Sequence, residues 1–139
     1  MNTALPRWLL AIAAALLLLT AVLHTSAFAL TRAAVAASNL TTFFGQSLQA
    51  LWLIESVTVL TLAVVFGLVA ARPAMASGAV VALLALVPAG TAGMLYCFIG
   101  GGFAPAHLLL LAAALAFVAG LLRVRLTRQP SGRSQASAA

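Results

Sequence analysis

Four long apolar runs constrain this chain more than any other feature. They cover about residues 8–30, 48–71, 75–99 and 104–123, and polar or helix-breaking residues separate them. About 20 residues cross the hydrocarbon layer as a helix, and a helix satisfies every backbone polar group without help from water. The sequence therefore predicts an all-α fold, an integral membrane four-helix bundle formed by residues 1–123.

The composition agrees with a membrane protein and excludes several other classes. Hydrophobic residues make up 65% of the chain and charged residues 6%, whereas soluble domains carry about 25% charged residues. The net charge of +6 comes from arginines that interrupt apolar runs, so we expect no nucleic-acid partner. The single cysteine, Cys97, excludes an intramolecular disulfide and a CxxC motif.

The arginines also predict an orientation. Six of the seven fall on one side of the four spans, and only Arg32 falls on the other. The six are Arg7, Arg72, Arg123, Arg125, Arg128 and Arg133. Because arginine-rich segments stay in the cytoplasm, both termini are predicted inside (N-in/C-in), with the 31–47 and 100–104 connections outside. Residues 124–139 are polar and are predicted to form a disordered cytoplasmic tail. The abundance of Ala and the use of Arg instead of Lys are typical of a GC-rich bacterial genome, which indicates a bacterial cytoplasmic (inner) membrane.

The N-terminus has a second interpretation. Arg7, the apolar stretch 8–23 and the sequence Ala27-Phe28-Ala29 also fit a secretory signal peptide with an A-x-A cleavage site. Cleavage of residues 1–29 would leave three spans and would remove His24. The apolar run is long for a signal peptide, which favours a retained first span.

Glu55 is the only acidic residue, and it lies in the middle of the second apolar run. An ionised side chain at the centre of a spanning helix costs roughly 2.5–3.5 kcal/mol on insertion scales. A carboxyl group inside the membrane is therefore a candidate functional site, and the alternative is a protonated, hydrogen-bonded structural group.

Further polar side chains are predicted at the depth of Glu55, in the outer half of the bundle. The predicted ligand-binding set is Glu55, His24, Trp52, Tyr96, His107 and Gln49. In the second span Gln49, Trp52 and Glu55 follow one another at steps of three, within a broad arc of one helix. The structural alternatives are interhelical hydrogen bonding for His24 and a position at the membrane interface for His107, Trp52 and Tyr96.

Two patterns concern helix shape and packing. Pro88 lies inside the third span, where its ring clashes with the carbonyl group of Leu84, so a kink is predicted. Small residues recur at every fourth position in the third and fourth spans, which allows the two helices to approach closely or to mediate a dimer. These residues are Ala85, Ala89 and Gly93, and Ala112, Ala116 and Gly120.

Several functional classes fit these patterns. The first is a binding or transport protein in which Glu55 and His24 hold a proton, a cation or a small amphipathic ligand. The second is an accessory or anchoring subunit of a membrane complex, or a homo-oligomer. The third is a redox protein in which haem or a divalent metal is bound by His24, His107 and Glu55. A lipid- or quinone-modifying enzyme with Glu55 as acid/base is a fourth. The sequence requires no cofactor and leaves open whether the protein is an enzyme.

Overall fold

The computed structural model of the chain describes residues 4–128, and this part is helical with no strand. The helices are α1 (Ala4–Ser26), α2 (Phe28–Ala36), α3 (Thr42–Ala71), α4 (Gly78–Leu84), α5 (Leu86–Phe98) and α6 (Ala104–Arg128), with a single 3₁₀ turn at Pro73–Met75. The all-α prediction is confirmed for these residues.

Within residues 4–128, four helical segments are long and apolar enough to cross a membrane. They are Ala4–Ala36, Thr42–Ala71, Gly78–Phe98 and Ala104–Thr127, and each contains or closely overlaps one predicted span. Helix extends beyond the predicted spans in two places. The 31–47 connection is largely helical, because alanine-rich residues extend the first segment and α3 already begins at Thr42. Residues 124–128 belong to α6 and not to a disordered tail; residues 129–139 lie outside the described part.

The helices pack around α1 and α6. Helix α1 contacts α3 and α6, and α6 also contacts α4 and α5, whereas α3 and α5 make few close backbone contacts. The most completely buried large side chains include Leu10 and Leu17 of α1, Phe66 of α3 and Val81 of α4. Because α1 supplies part of this core, a chain cleaved after residue 29 would lose the surface on which both α3 and α6 pack.

Helices α4 and α6 meet at two glycines. A β-carbon built on Gly78 would lie 2.5 Å from the carbonyl oxygen of Gly120, and one built on Gly120 would lie 2.7 Å from the Ala82 nitrogen. Ala112 and Ala116 of α6 are fully buried. The predicted close packing of the third and fourth spans is therefore present. The expectation for Gly93 is wrong, because a β-carbon there would have no neighbour within 4 Å.

The predicted kink divides the third span into α4 and α5. Helix α4 ends at Leu84, Ala85 lies between the two helices, and Pro88 is buried in the first turn of α5. The helix is interrupted one turn before Pro88 for two reasons. The proline ring clashes with the carbonyl group of Leu84, and the proline nitrogen has no hydrogen to donate to that carbonyl group. The interruption lies at the start of α5, which carries one wall of the site described next.

Candidate functional site

A cavity of about 80 Å³ lies at the end of the bundle where α3 begins and α5 ends. We call this the Glu55 cavity. Its polar lining consists of Thr20, His24, Trp52, Glu55 and Thr91, and its apolar lining of Val59, Leu95, Ile99, Phe103, Pro105 and Leu109. All four membrane-length segments contribute to it. The side chains of α3 and α5 face each other across the cavity, and the two helices make few close backbone contacts.

Glu55 reaches the cavity from α3. Its Oε1 atom is buried and has no hydrogen-bond partner among the described residues, while the Thr91 side chain of α5 interacts with the carboxyl group. Leaving a buried acceptor unsatisfied costs about 1–3 kcal/mol, and more when the group is charged. Glu55 therefore has the capacity to accept a further proton, hydrogen-bond donor or cation at Oε1.

His24 is held by three contacts with α3. The Trp52 indole stacks on its ring, with centroids 4.2 Å apart and planes 10° from parallel. Trp52 Nε1 donates to the backbone carbonyl oxygen of His24 at 2.9 Å. The third contact joins His24 Nδ1 and the Ser56 hydroxyl at 2.9 Å. These contacts fix the imidazole as a rigid wall of the cavity.

The hydrogen bonds favour one tautomer of the imidazole. Ser56 Oγ lies 3.1 Å from the Trp52 carbonyl oxygen, to which it can donate its only hydrogen. When it does so, the hydroxyl accepts from His24 Nδ1–H, and both contacts are satisfied at once. In that tautomer the lone pair of the neutral ring is on Nε2, which can take up a proton.

Three of the six predicted site residues do not line the Glu55 cavity. Gln49 lines a separate groove with Arg32, because six residues of helix place it about 120° around α3 from Glu55. His107 is exposed, and its Nδ1 lies 3.2 Å from the Phe103 carbonyl oxygen. Tyr96 packs edge-on against the His107 ring, with centroids 5.4 Å apart. Glu55, His24 and Trp52 are the predicted residues that the fold brings together.

The predicted metal or haem ligands are likewise not assembled. His107 lies outside the cavity that contains Glu55 and His24, and one nitrogen and one face of the His24 ring are already engaged. Within residues 4–128 no three His, Cys, Asp or Glu side chains are grouped as metal ligands.

The sequence analysis missed Thr91, Ser56 and Phe103. Ser56 follows Trp52 by four residues, the spacing at which a helical hydroxyl bonds back to a carbonyl group, and that spacing was a usable signal. Thr91 follows Pro88 by three residues and so shares its side of α5. The spacing of residues within α5 does not predict that Thr91 lies near Glu55, because Glu55 belongs to another helix.

No protein family, curated protein or solved structure matches this chain.

Proposed function

We propose that this chain is an integral protein of the bacterial cytoplasmic membrane, with both termini in the cytoplasm. Large apolar side chains are exposed along its helices, including Val22 at 57%, Val57 at 62% and Leu83 at 65%. Soluble monomers rarely expose contiguous apolar surface on this scale, whereas lipid would cover it. The six-to-one distribution of arginines supports the orientation.

We further propose that the protein binds a proton or a small monovalent cation at Glu55 and passes it across the membrane. One observation carries this proposal: Oε1 of the only acidic side chain lies buried beside a cavity and has no hydrogen-bond partner within residues 4–128. A bound cation or proton would neutralise the carboxylate and relieve the cost of burying it.

The size of the cavity restricts the ligand. Sites for drug-sized molecules measure about 300–1,000 Å³, whereas this cavity measures about 80 Å³. It has room for a few waters or one small cation and not for an amphipathic molecule. Divalent calcium takes about six to eight oxygen ligands, while the side-chain oxygens here come from Glu55, Thr20 and Thr91 alone. A singly charged ligand fits this donor set better.

The remaining lining residues have distinct parts in this proposal. Thr91 faces the carboxyl group from α5 and supplies a hydroxyl to the cavity, and the Trp52–Ser56 pair holds His24. His24 Nε2 gives the cavity a second group that can carry a proton. Leu95, Ile99 and Leu109 keep the rest of the cavity dry, which strengthens the electrostatic attraction between the carboxylate and a cation.

Transport by reconstituted protein tests the proposal. Purified protein in liposomes that enclose a pH-sensitive dye should dissipate an imposed proton gradient, or a gradient of ammonium or an alkali cation. Glu55→Gln keeps the shape and removes the charge, so its flux should fall to that of protein-free liposomes. Gln49→Ala, which changes a polar residue of the same helix outside the cavity, should keep the wild-type flux.

Binding has its own readout, because Glu55 is the only acidic side chain. In infrared difference spectra, a protonated side-chain carboxyl band can arise from no other residue, and it should be missing in Glu55→Gln. Added cation should deplete that band in proportion to occupancy. Two results would contradict a cation site at Glu55: a Glu55→Gln flux equal to that of the wild type, or a carboxyl band that does not change with any cation tested.

A further inference from the structure

A second polar feature lies at the opposite end of the bundle. Arg7 near the start of α1 and Arg123 near the end of α6 line one groove of about 440 Å³, together with Pro6, Pro73, Ala74, Leu126 and Thr127. We call this the Arg7–Arg123 groove. It shares no lining residue with the Glu55 cavity.

Backbone carbonyl groups hold both guanidinium groups in place. Arg7 Nε donates to the Ala70 carbonyl oxygen at 3.0 Å, in the last turn of α3. Arg123 Nη2 donates to the carbonyl oxygens of Ala76 and Pro73, the first at 2.6 Å. Ala70 lies in the last turn of α3, where carbonyl groups have no partner within the helix, so Arg7 supplies a donor that the helix lacks. Arg123 does the same for the carbonyl groups of the connection between α3 and α4. The two cations are thereby fixed on either side of the groove.

These bonds do not neutralise the arginines. Glu55 is the only acidic side chain of the chain, and it lies at the other end of the bundle. A guanidinium group has five N–H donors, and the bonds from Arg7 Nε and Arg123 Nη2 use only part of that capacity. Among residues 4–128, the groove therefore presents two positive charges with unused donors and no carboxylate.

An exposed tryptophan adjoins the groove. Trp8 is 69% exposed and lines the neighbouring depression with Arg7, Gly67 and Ala70. Tryptophan is enriched where the hydrocarbon meets the headgroups of a bilayer, because its ring is apolar and its N–H is polar. Trp8 thus places the Arg7–Arg123 groove at headgroup depth in a membrane-inserted chain.

We propose that the Arg7–Arg123 groove binds the phosphate group of an anionic phospholipid. Guanidinium groups pair with phosphate through two parallel hydrogen bonds, and basic pockets between spanning helices on the cytoplasmic side are suited to such headgroups. A volume of about 440 Å³ accommodates a headgroup, and the apolar outer faces of α1 and α6 flank its acyl chains. The proposal shares membrane insertion with the proposed function but does not depend on cation binding at Glu55.

Lipid exchange in nanodiscs tests this site. Quenching of Trp8 by brominated lipid, measured in Trp52→Phe protein to isolate Trp8, should be stronger for phosphatidylglycerol than for phosphatidylcholine. Arg7→Gln should reduce the preference about fivefold to tenfold. Arg125→Gln removes the same charge from an exposed position outside the groove and should leave the preference unchanged. Arg7→Lys keeps the positive charge but loses the two parallel N–H donors of the guanidinium group. Its preference for phosphatidylglycerol should lie between those of the wild type and Arg7→Gln.

Further measurements distinguish lipid phosphate from free phosphate. They also distinguish the phospholipid site from the cation site at Glu55. Inorganic phosphate at equal concentration should not reduce the quenching by phosphatidylglycerol; if it does, the groove is a site for free phosphate. Equal losses in Arg7→Gln and Arg125→Gln would overturn the proposal in favour of a diffuse charge effect. Glu55→Gln should retain the lipid preference, so a failed cation site leaves this result unchanged. Helicity measured for each variant confirms that the comparison is made between folded proteins.

Discussion

Among individual residues, His24 has the most constrained side chain in the Glu55 cavity. Trp52 stacks on its ring and donates to its backbone carbonyl oxygen, while the Ser56 hydroxyl forms a hydrogen bond with its Nδ1. Interhelical hydrogen bonds in membrane proteins contribute about 0.6 kcal/mol on average and at most about 1.7. Three contacts between the same two helices therefore do more to fix the direction of the imidazole than to stabilise the bundle.

Replacing Trp52 separates the hydrogen bond from the stacking. Trp52→Phe retains an aromatic ring and loses the N–H donor, so the free energy of unfolding should fall by about 0.6–1.7 kcal/mol. Trp52→Leu also removes the aromatic contact and should cost about a further 0.5–1.5 kcal/mol. Unfolding in mixed micelles of increasing denaturing detergent measures both. Trp8→Phe changes the exposed tryptophan and should have no effect; a loss as large as that of Trp52→Phe would refute the assigned role.

The sequence was sufficient for those site residues whose positions follow from one helix. Glu55 was identified by its charge, and Trp52 follows from it by helical spacing. Gln49 lies outside the cavity, because two steps of three residues turn it away from Glu55 around α3, and its part in ligand binding stays a prediction. Thr91 was not identified because its distance from Glu55 depends on how α3 and α5 are placed relative to one another, which spacing within either helix does not report.

At the scale of helices, the break at Ala85 and the close contact at Gly120 determine the shape of the bundle. Gly78 and Gly120 bring α4 against α6, and α5 begins after the break at Ala85. Thr91, Leu95 and Ile99, at every fourth position, line the cavity together with residues of α3. Both halves of the third span pack on α6, and the second half also lines the site.

The α4–α6 contact can be tested with a matched pair of glycines. Gly120→Ala would place a β-carbon 2.7 Å from backbone atoms of α4, so the helices must separate, at a cost of about 1–3 kcal/mol. Gly90→Ala, in α5, meets nothing within 4 Å and should be neutral or slightly stabilising. The same detergent unfolding titration compares them. Equal stability of the two variants would show that the close contact is absent.

Helix existence was predictable from the sequence, and helix ends were not. Apolar run length identifies a span because it reflects the thickness of a bilayer. The ends of α2 and α6 are set by residues that are polar or small yet still form helix, such as Arg125 and Ala36. Hydropathy underestimates such ends because a helix continues into the headgroup region after its apolar residues stop.

Considered as a whole, the molecule has most of its cationic side chains at one end of the bundle. Arg7, Arg72, Arg123 and Arg125 lie there, whereas Glu55 and Arg32 lie towards the end where α3 begins. Within residues 4–128 no ion pair connects Glu55 with an arginine. The proposed cation site at one end and the proposed phospholipid site at the other would suit a membrane protein with a fixed orientation.

Cysteine labelling tests this orientation, since Cys97 is the only cysteine and is exposed at the end of α5 near the Glu55 cavity. A membrane-impermeant maleimide should label Cys97 in intact spheroplasts. Thr127→Cys in a Cys97→Ser background places the thiol at the arginine end, and it should react only after permeabilisation. A membrane-permeant maleimide establishes that both thiols are reactive. The reverse pattern would put the termini outside, and the Arg7–Arg123 groove would then face the outer leaflet instead of the cytoplasmic one.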